Sequence, residues 1–460
     1  MQRIAKTLFF LTFLLYFRRY KERGNVMINN ENLKKRDLYL NQLIAFQDKE
    51  PIKVITGIRR SGKSKLLLLM MKHLLDEGKN KDQIIEMHFE KMDFSLMTYK
   101  EVYDYVKNRI IPNTRMYLFF DEIQRIEGWE NAINALRVEF DTDIYVTGSN
   151  AYLLSSEYST YLAGRCVEIK MLPLSFKEFL YFHDFSIKEV TTAFGTSKKE
   201  ILDKKGTQYS LKEVFDAYLR FGGMPGIIDV GLDQEKAFML LGGIYNTVVT
   251  RDILEREKRR GQNTISDALL LKKLIMFLSD NIGSNVSFSS ISKSLSQDSY
   301  SKEKSKPSPH TIESYINALT ETYLFYEIKR FDIKGKEYLK TLGKYYISDI
   351  GMRNYLLGLR DRDRGHILEN IVYFELLRRG YDVAIGKIDN NEIDFIANNP
   401  NEKIYFQVTE SMNNEETRKR ELTPLMKVKD NYEKIILSLD EEEEIYEGIK
   451  SINLINWLLK

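Results

Sequence analysis

An α/β fold built on a parallel sheet is the class this sequence predicts, and three runs of residues predict it. Ile52-Lys53-Val54-Ile55-Thr56 is short and β-rich, and it leads through Gly57 and a polar loop into the helical pattern Lys65 to Met71. Tyr117-Leu118-Phe119-Phe120 is apolar without alternation, as a strand covered on both faces must be, and it ends in Asp121-Glu122. Asp143-Ile144-Tyr145-Val146-Thr147 reads as a third strand and ends in Gly148-Ser149-Asn150. Open α/β sheets place their sites at such C-terminal strand ends.

Composition bounds the rest. At about 150 residues per domain, 460 residues suggest roughly three folding units. The net charge of +3 does not by itself imply a polyanionic partner. Eight prolines and 25 glycines exclude collagen-like or generally disordered character. The single cysteine, Cys166, excludes an intramolecular disulfide framework and a Cys-rich zinc site, which fits a reducing compartment and a cytoplasmic chain. The five histidines are scattered with no His-Glu-x-x-His pair, so zinc chemistry has no support.

The amino-terminal residues 1–26 read as an extension. The apolar run Leu8 to Phe17 rises only about 15 Å as a helix, half of what a bilayer core requires, so no stable membrane span is expected. Arg18, Arg19, Lys21 and Arg23 on its far side, with no small-residue cleavage site, are wrong for a secretory signal. A short surface anchor, a core helix, and translated sequence ahead of a start at Met27 remain open readings.

Residues 27–180 are expected to form the sheet domain. Gly57-Ile58-Arg59-Arg60-Ser61-Gly62-Lys63-Ser64 matches the Gly-x-x-x-x-Gly-Lys-Ser loop between a strand and a helix, the context that loop requires. Its glycines let the backbone curl so that N–H groups face phosphates at a helix N-terminus. ATP is therefore expected on Gly57, Ile58, Arg59, Arg60, Ser61, Gly62, Lys63, Ser64 and Lys65, with Lys63 on the β- and γ-phosphates. Ser64 and Asp121 would hold Mg²⁺, and Glu122 would polarise the attacking water. Ser149 or Asn150 would sense the γ-phosphate, or cap a helix beginning near Ala151. Arg165, in Leu162-Ala163-Gly164-Arg165, is either a surface residue or an arginine finger acting on a neighbouring copy's nucleotide.

The loop 57–64, Asp121-Glu122-Ile123-Gln124, Thr147-Gly148-Ser149-Asn150, Leu162 to Arg165, Leu172-Pro173-Leu174-Ser175-Phe176 and Tyr218 to Pro225 occur here in order. Together they make the chain resemble, from about Met27 onward, the bacterial and archaeal AAA-like ATPases that carry a C-terminal domain of unknown function. The resemblance implies a P-loop NTPase sheet, strengthens Arg165 as a finger and, with it, implies a homo-oligomer.

Residues 181–262 read as a helical lid or linker, with a helical pattern from Leu232 to Arg260. Residues 263–350 read as a winged helix, with helices over Ser287–Leu295 and His310–Tyr323 and a wing from Leu324–Phe331 and Tyr338–Ile347 around Lys334-Gly335-Lys336. Ser299 to Ser308 reads as a mobile linker. The reading helix, Ser308 to Thr322, contains no Lys or Arg, which argues against sequence-specific DNA readout. Non-specific binding through Lys329, Arg330, Lys334 and Lys336 stays open.

In residues 351–460 the order is an amphipathic helix from Ile367 to Gly380, then strand runs at 382–385, 391–397 and 404–409. It is similar to restriction-endonuclease-like folds, which gather an Asp and an acid-x-Lys around Mg²⁺. Glu369 and Asp394 match that pattern, but Gln407 stands at the second acid and Thr409 at the lysine, so cleavage is not expected. The sequence thus predicts an ATP-driven switch or motor, with an ATP-regulated Mg²⁺-dependent nuclease and a non-hydrolysing ATP-binding interaction protein as alternatives.

Overall fold

A computed structural model describes residues 33–151, 164–191, 197–254, 265, 267–296, 307–338, 343–360 and 363–460. The amino-terminal apolar run, residues 299–306 of the linker expected at Ser299 to Ser308, and Leu162-Ala163 lie outside the described residues. The chain divides into two compact units; of the described residues, 33–56, 62–148 and 164–170 belong to the first, and 57–61, 149–151 and those from 171 onward to the second.

The first unit alternates helices and strands. In order they are α1 (Asp37–Ala45), β1 (Ile52–Thr56), α2 (Lys63–Asp76), β2 (Ile84–His88), α3 (Tyr99–Lys107), β3 (Met116–Asp121), α4 (Trp129–Glu139), β4 (Thr142–Thr147) and β5 (Cys166–Lys170). The strands form one parallel sheet in the order β2-β3-β4-β1-β5. Parallel pairing demands cover on both faces, and every residue of β1 and β3 is buried. Thr98 and Glu101 form a reciprocal capping box that starts α3, which seats Val102 and Val106 in the core with Phe120 and Ile133. Phe89 stacks on Phe120 with ring centroids 6.3 Å apart.

An ion pair is buried in this sheet. Lys53 on β1 pairs with Asp143 on β4, both side chains fully inaccessible, and its ammonium also donates to the Lys49 carbonyl at 2.8 Å. Tyr145 donates to the same carboxylate at 2.9 Å. Lys53→Met strands Asp143 without its cation, so the first unit should lose roughly 3–5 kcal/mol. Denaturant unfolding followed at the first unit checks this; an unchanged midpoint contradicts it.

The second unit opens with α5 (Phe176–Phe182) and then departs from the expected helical lid. Strands β6 (Ser186–Thr191), β7 (Ser197–Leu202) and β8 (Gln208–Ser210) form an antiparallel meander. Its physical cause is local: Asp203 accepts from the N–H groups of Lys205 and Thr207, both at 2.8 Å, closing the β7–β8 turn, while Ile201 turns into the core. Helices follow: α6 (Leu211–Phe221), α7 (Gln234–Thr247), which runs into a π-helical turn at Val248–Leu254, α8 (Ala268–Asp280), α9 (Phe288–Ser296) and α10 (Pro309–Glu321).

Strand β9 (Phe325–Ile328) is followed by β10 (Arg330–Asp332) and β11 (Glu337–Tyr338), and it pairs antiparallel with β12 (Lys344–Ile347). Then come α11 (Ile350–Leu357), α12 (Arg364–Arg378), β13 (Asp382–Ile388), β14 (Asn391–Asn398), β15 (Lys403–Val408), α13 (Glu415–Lys427), β16 (Glu433–Ser438), β17 (Glu444–Tyr446), β18 (Ile449–Asn453) and α14 (Leu454–Leu459). The expected division at residue 350 is crossed by the backbone: Arg330–Asp332 pairs parallel with Ile385–Lys387. Among the described residues this makes one eight-stranded sheet, β11-β10-β13-β14-β15-β16-β18-β17. Helix α12, expected to be amphipathic, is buried at every position from Ile367 to Leu376. It is a central helix, and its polar residues have internal partners; Asn370 exchanges two hydrogen bonds with the Ile347 backbone.

The Gly222-Gly223 turn packs against a buried carboxylate. Gly222 has φ +76, and a Cβ there would lie 2.3 Å from Asp349 Oδ1. Asp349 accepts from Gly223 N at 2.6 Å and caps α11 through Met352 N at 2.9 Å.

Candidate functional site

Parallel pairing sends β1, β3 and β4 out of the sheet at one edge. Val54 and Phe120 both stand opposite Val146, so Ile55, Thr147 and Asp121 occupy the next row. The chain leaving β1 makes the loop 57–61 and re-enters the first unit as α2. Loop closeness explains its glycine: Gly57 has φ +137, and a Cβ there would meet the Met171 carbonyl oxygen at 2.1 Å. Ile58 and Ser61 are buried, Arg60 is exposed with φ +64, and Ser61 N donates to Ile58 O at 3.2 Å. Helix α2 starts after Gly62 in the left-handed region with no side-chain cap. Its first N–H groups therefore lack the oxygen that a Ser or Asp cap would supply, and its dipole favours an anion there. Lys63 is buried in the first turn, while Ser64 and Lys65 are exposed.

The two acids that end the β3 run are buried. Asp121 is 2% exposed and Glu122 7%. Glu122 holds a left-handed conformation, φ +56 and ψ +46, which costs a non-glycine residue about 1 kcal/mol or more and re-aims its carboxylate. Thr147 secures both residues: its hydroxyl donates to Asp121 Oδ1 at 2.5 Å and accepts from Glu122 N at 2.9 Å. Among the described residues Asp121 Oδ2 accepts no hydrogen bond and faces His88 Nε2 at 3.2 Å, and Gln124 Nε2 donates to Glu122 Oε2 at 2.5 Å.

Thr147, His88 and Gln124 were not singled out from the sequence. Thr147 and Gln124 stand inside the runs Thr147–Asn150 and Asp121–Gln124 without a role of their own there, and strand register is what sets Thr147 beside the acids. Ser149 and Asn150 are buried residues of the second unit. Arg165 is exposed before β5, at the sheet edge opposite to Thr56. Its carbonyl accepts from Ile52 N at 2.9 Å, and its guanidinium lies 3.4 Å from Asn134 Oδ1. It is not brought to Asp121 and Glu122 within one chain.

In the second unit the loop residue Arg59 pairs with Asp252 of the π-helical turn at 3.2 Å, both side chains nearly buried. Single π-turns inside helices recur at functional positions. Two of the cations expected on a wing are engaged by acids, Arg330 with Glu392 at 3.7 Å and Lys334 with Asp389 at 2.6 Å. Glu369 and Asp394, expected to be near one another, join a buried cluster that also contains Lys344. Lys344 Nζ lies 2.7 Å from Glu392 Oε1 and 3.6 Å from Glu369 Oε2. Gln407 accepts from Asp394 N at 2.8 Å and donates to Glu421 Oε2 at 2.7 Å.

Residues 49–180 match the family profile described as an AAA domain, and residues 212–363 match a domain of unknown function, DUF8612. An uncharacterized protein of Haemophilus influenzae is 39% identical over 441 residues, 95% of this chain and all of that protein. An uncharacterized protein of Methanocaldococcus jannaschii is 30% identical over 86% of this chain and 83% of its own length. Among solved structures, the Walker-type ATPase of Pyrococcus abyssi is 15% identical, with 71% of this chain and 97% of that one aligned at a TM-score of 0.45. No helix among the described residues is long and apolar enough to cross a membrane.

Proposed function

This chain belongs to the family of AAA-domain proteins that it shares with those two relatives, and from that membership we propose that it binds and hydrolyses ATP as a switch. The P-loop ATPase fold is the established part; the chemistry and its use are our reading. The observation that carries it is the buried Asp121-Glu122 pair at the same sheet edge that feeds the glycine loop and the uncapped start of α2.

The residues present fit a nucleotide with Mg²⁺. Asp121 Oδ2 is a buried carboxylate oxygen that accepts no hydrogen bond among the described residues and has only His88 Nε2 near it at 3.2 Å, which suits a hard cation, and the exposed Ser64 hydroxyl supplies a second oxygen ligand. When bound, Mg²⁺ neutralises charge on the β- and γ-phosphates. The chain's own residues do the rest: α2 and Lys63 hold the phosphates, and Thr147 fixes the acids. Glu122 takes a proton from water. The exposed Arg165, at the opposite sheet edge, acts only on a neighbouring copy, so this reading includes a homo-oligomer in ATP.

The Arg59–Asp252 pair supports the switch. Phosphate competes for the same guanidinium, so nucleotide binding frees the π-helical turn after α7. Hydrogen exchange across 234–254, with and without ATP, tests this. Exchange should rise with ATP in the wild type and be fast without it in Asp252→Ala; exchange that ignores nucleotide rules the switch out. Phosphate release with and without duplex DNA, beside a mass measurement in ATP, decides whether DNA takes part and whether copies assemble.

A further inference from the structure

The C-terminal acids Glu369 and Asp394 stand where an endonuclease-like fold would gather a divalent cation, and with Lys344 among them the site does not fit one. Mg²⁺ requires about six oxygens in near-octahedral array. Four of the oxygens here already have partners. Glu369 Oε2 accepts from Tyr346 at 3.0 Å, and its Oε1 faces His366 Nδ1 at 3.2 Å. Asp394 Oδ2 accepts from Val408 N at 2.8 Å. Gln407, a neutral amide at the second acid position, accepts from the Asp394 backbone N–H and donates to Glu421. Among the described residues no cluster of three or more His, Cys, Asp or Glu is arranged to hold a metal ion.

A cation is nevertheless present, on β12. Lys344 is 4% exposed, and its ammonium reaches Glu392 Oε1 at 2.7 Å and Glu369 Oε2 at 3.6 Å. We propose that the Lys344 ammonium is the resident cation of this centre, standing in the place of a divalent ion and binding β12 to α12 and β14. Burial works against its charge, yet the carboxylates of Glu369, Asp394 and Glu392 outweigh it and hold the ammonium above its usual range. Burial likewise opposes charge on Glu369, but Lys344 keeps that carboxyl below its ordinary value. Asp394 is pushed well up, by burial first and by Glu369 second. The buried ammonium is thus paired with acids rather than stranded among them.

Full-length protein without nucleotide tests this, with Mn²⁺ as the probe. Wild-type melting should be indifferent to Mn²⁺. Lys344→Ala should melt roughly 10 °C lower and recover about 3 °C or more in millimolar Mn²⁺, a gain that Lys344→Ala with Glu369→Gln lacks. A Lys344→Ala protein that folds and gains nothing from Mn²⁺ overturns the proposal. Should that variant not fold, Mn²⁺ binding by electron paramagnetic resonance on the wild type decides. Retention no greater than that of Glu369→Gln is expected, and a bound ion that Glu369→Gln loses overturns the proposal.

Discussion

Glu122→Gln is expected to hold ATP without cleaving it, with turnover down by roughly 10²- to 10⁴-fold, the usual contribution of a positioned base. The expectation follows from how the residue is held. Its backbone N–H donates to Thr147 at 2.9 Å, and its side-chain oxygen accepts from Gln124 at 2.5 Å. An amide preserves the shape and still accepts from Gln124, but it does not take a proton from water. Affinity should therefore survive while kcat falls, the pattern of an interaction used in the transition state. Wild-type turnover in Glu122→Gln would remove Glu122 from the chemistry and leave its strained backbone, φ +56, without a function.

Lys63→Ala should act a step earlier. Lys63 opens α2 behind the left-handed Gly62, in a helix start that no side chain caps. Removing its ammonium takes away a charged hydrogen bond worth about 1.5–3 kcal/mol, which is roughly a 10- to 100-fold loss of ATP affinity. Alanine is a good helix former, so the fold should survive, and an unchanged melting temperature makes the binding loss interpretable. Fluorescent-nucleotide titration reads the affinity directly. Equal affinity in both proteins would mean that the loop is a turn without a ligand.

The parts that were legible in the sequence are those whose physics is local. A glycine loop between a strand and a helix is written in consecutive residues, as is the apolar strand Tyr117 to Phe120 that ends in acids. Parallel pairing then brings Thr147 beside Asp121, and this needs a register that a single run does not contain. Arg59 and Asp252 meet across 193 positions, with nothing in either segment to announce the partner. The same holds for Lys344: strand position 409 carries threonine, and the ammonium comes instead from a strand paired with Phe325–Ile328. The meander at 186–210 was missed because its strands are highly charged, so Lys188, Glu189, Lys199 and Glu200 mask the inward Ile201. Helix α12 misled in the opposite direction, since Glu369, Asn370 and Glu375 look like a solvent face and are instead paired inside.

The central claim is that the sheet edge carrying Asp121 and Glu122 cleaves a triphosphate held at the start of α2. Single-turnover cleavage of γ-labelled ATP by the wild-type protein, in Mg²⁺ and then in chelator, tests it most directly. Labelled phosphate released in Mg²⁺ and not in chelator is the predicted result. ATP that binds in Mg²⁺ and is recovered intact would contradict it.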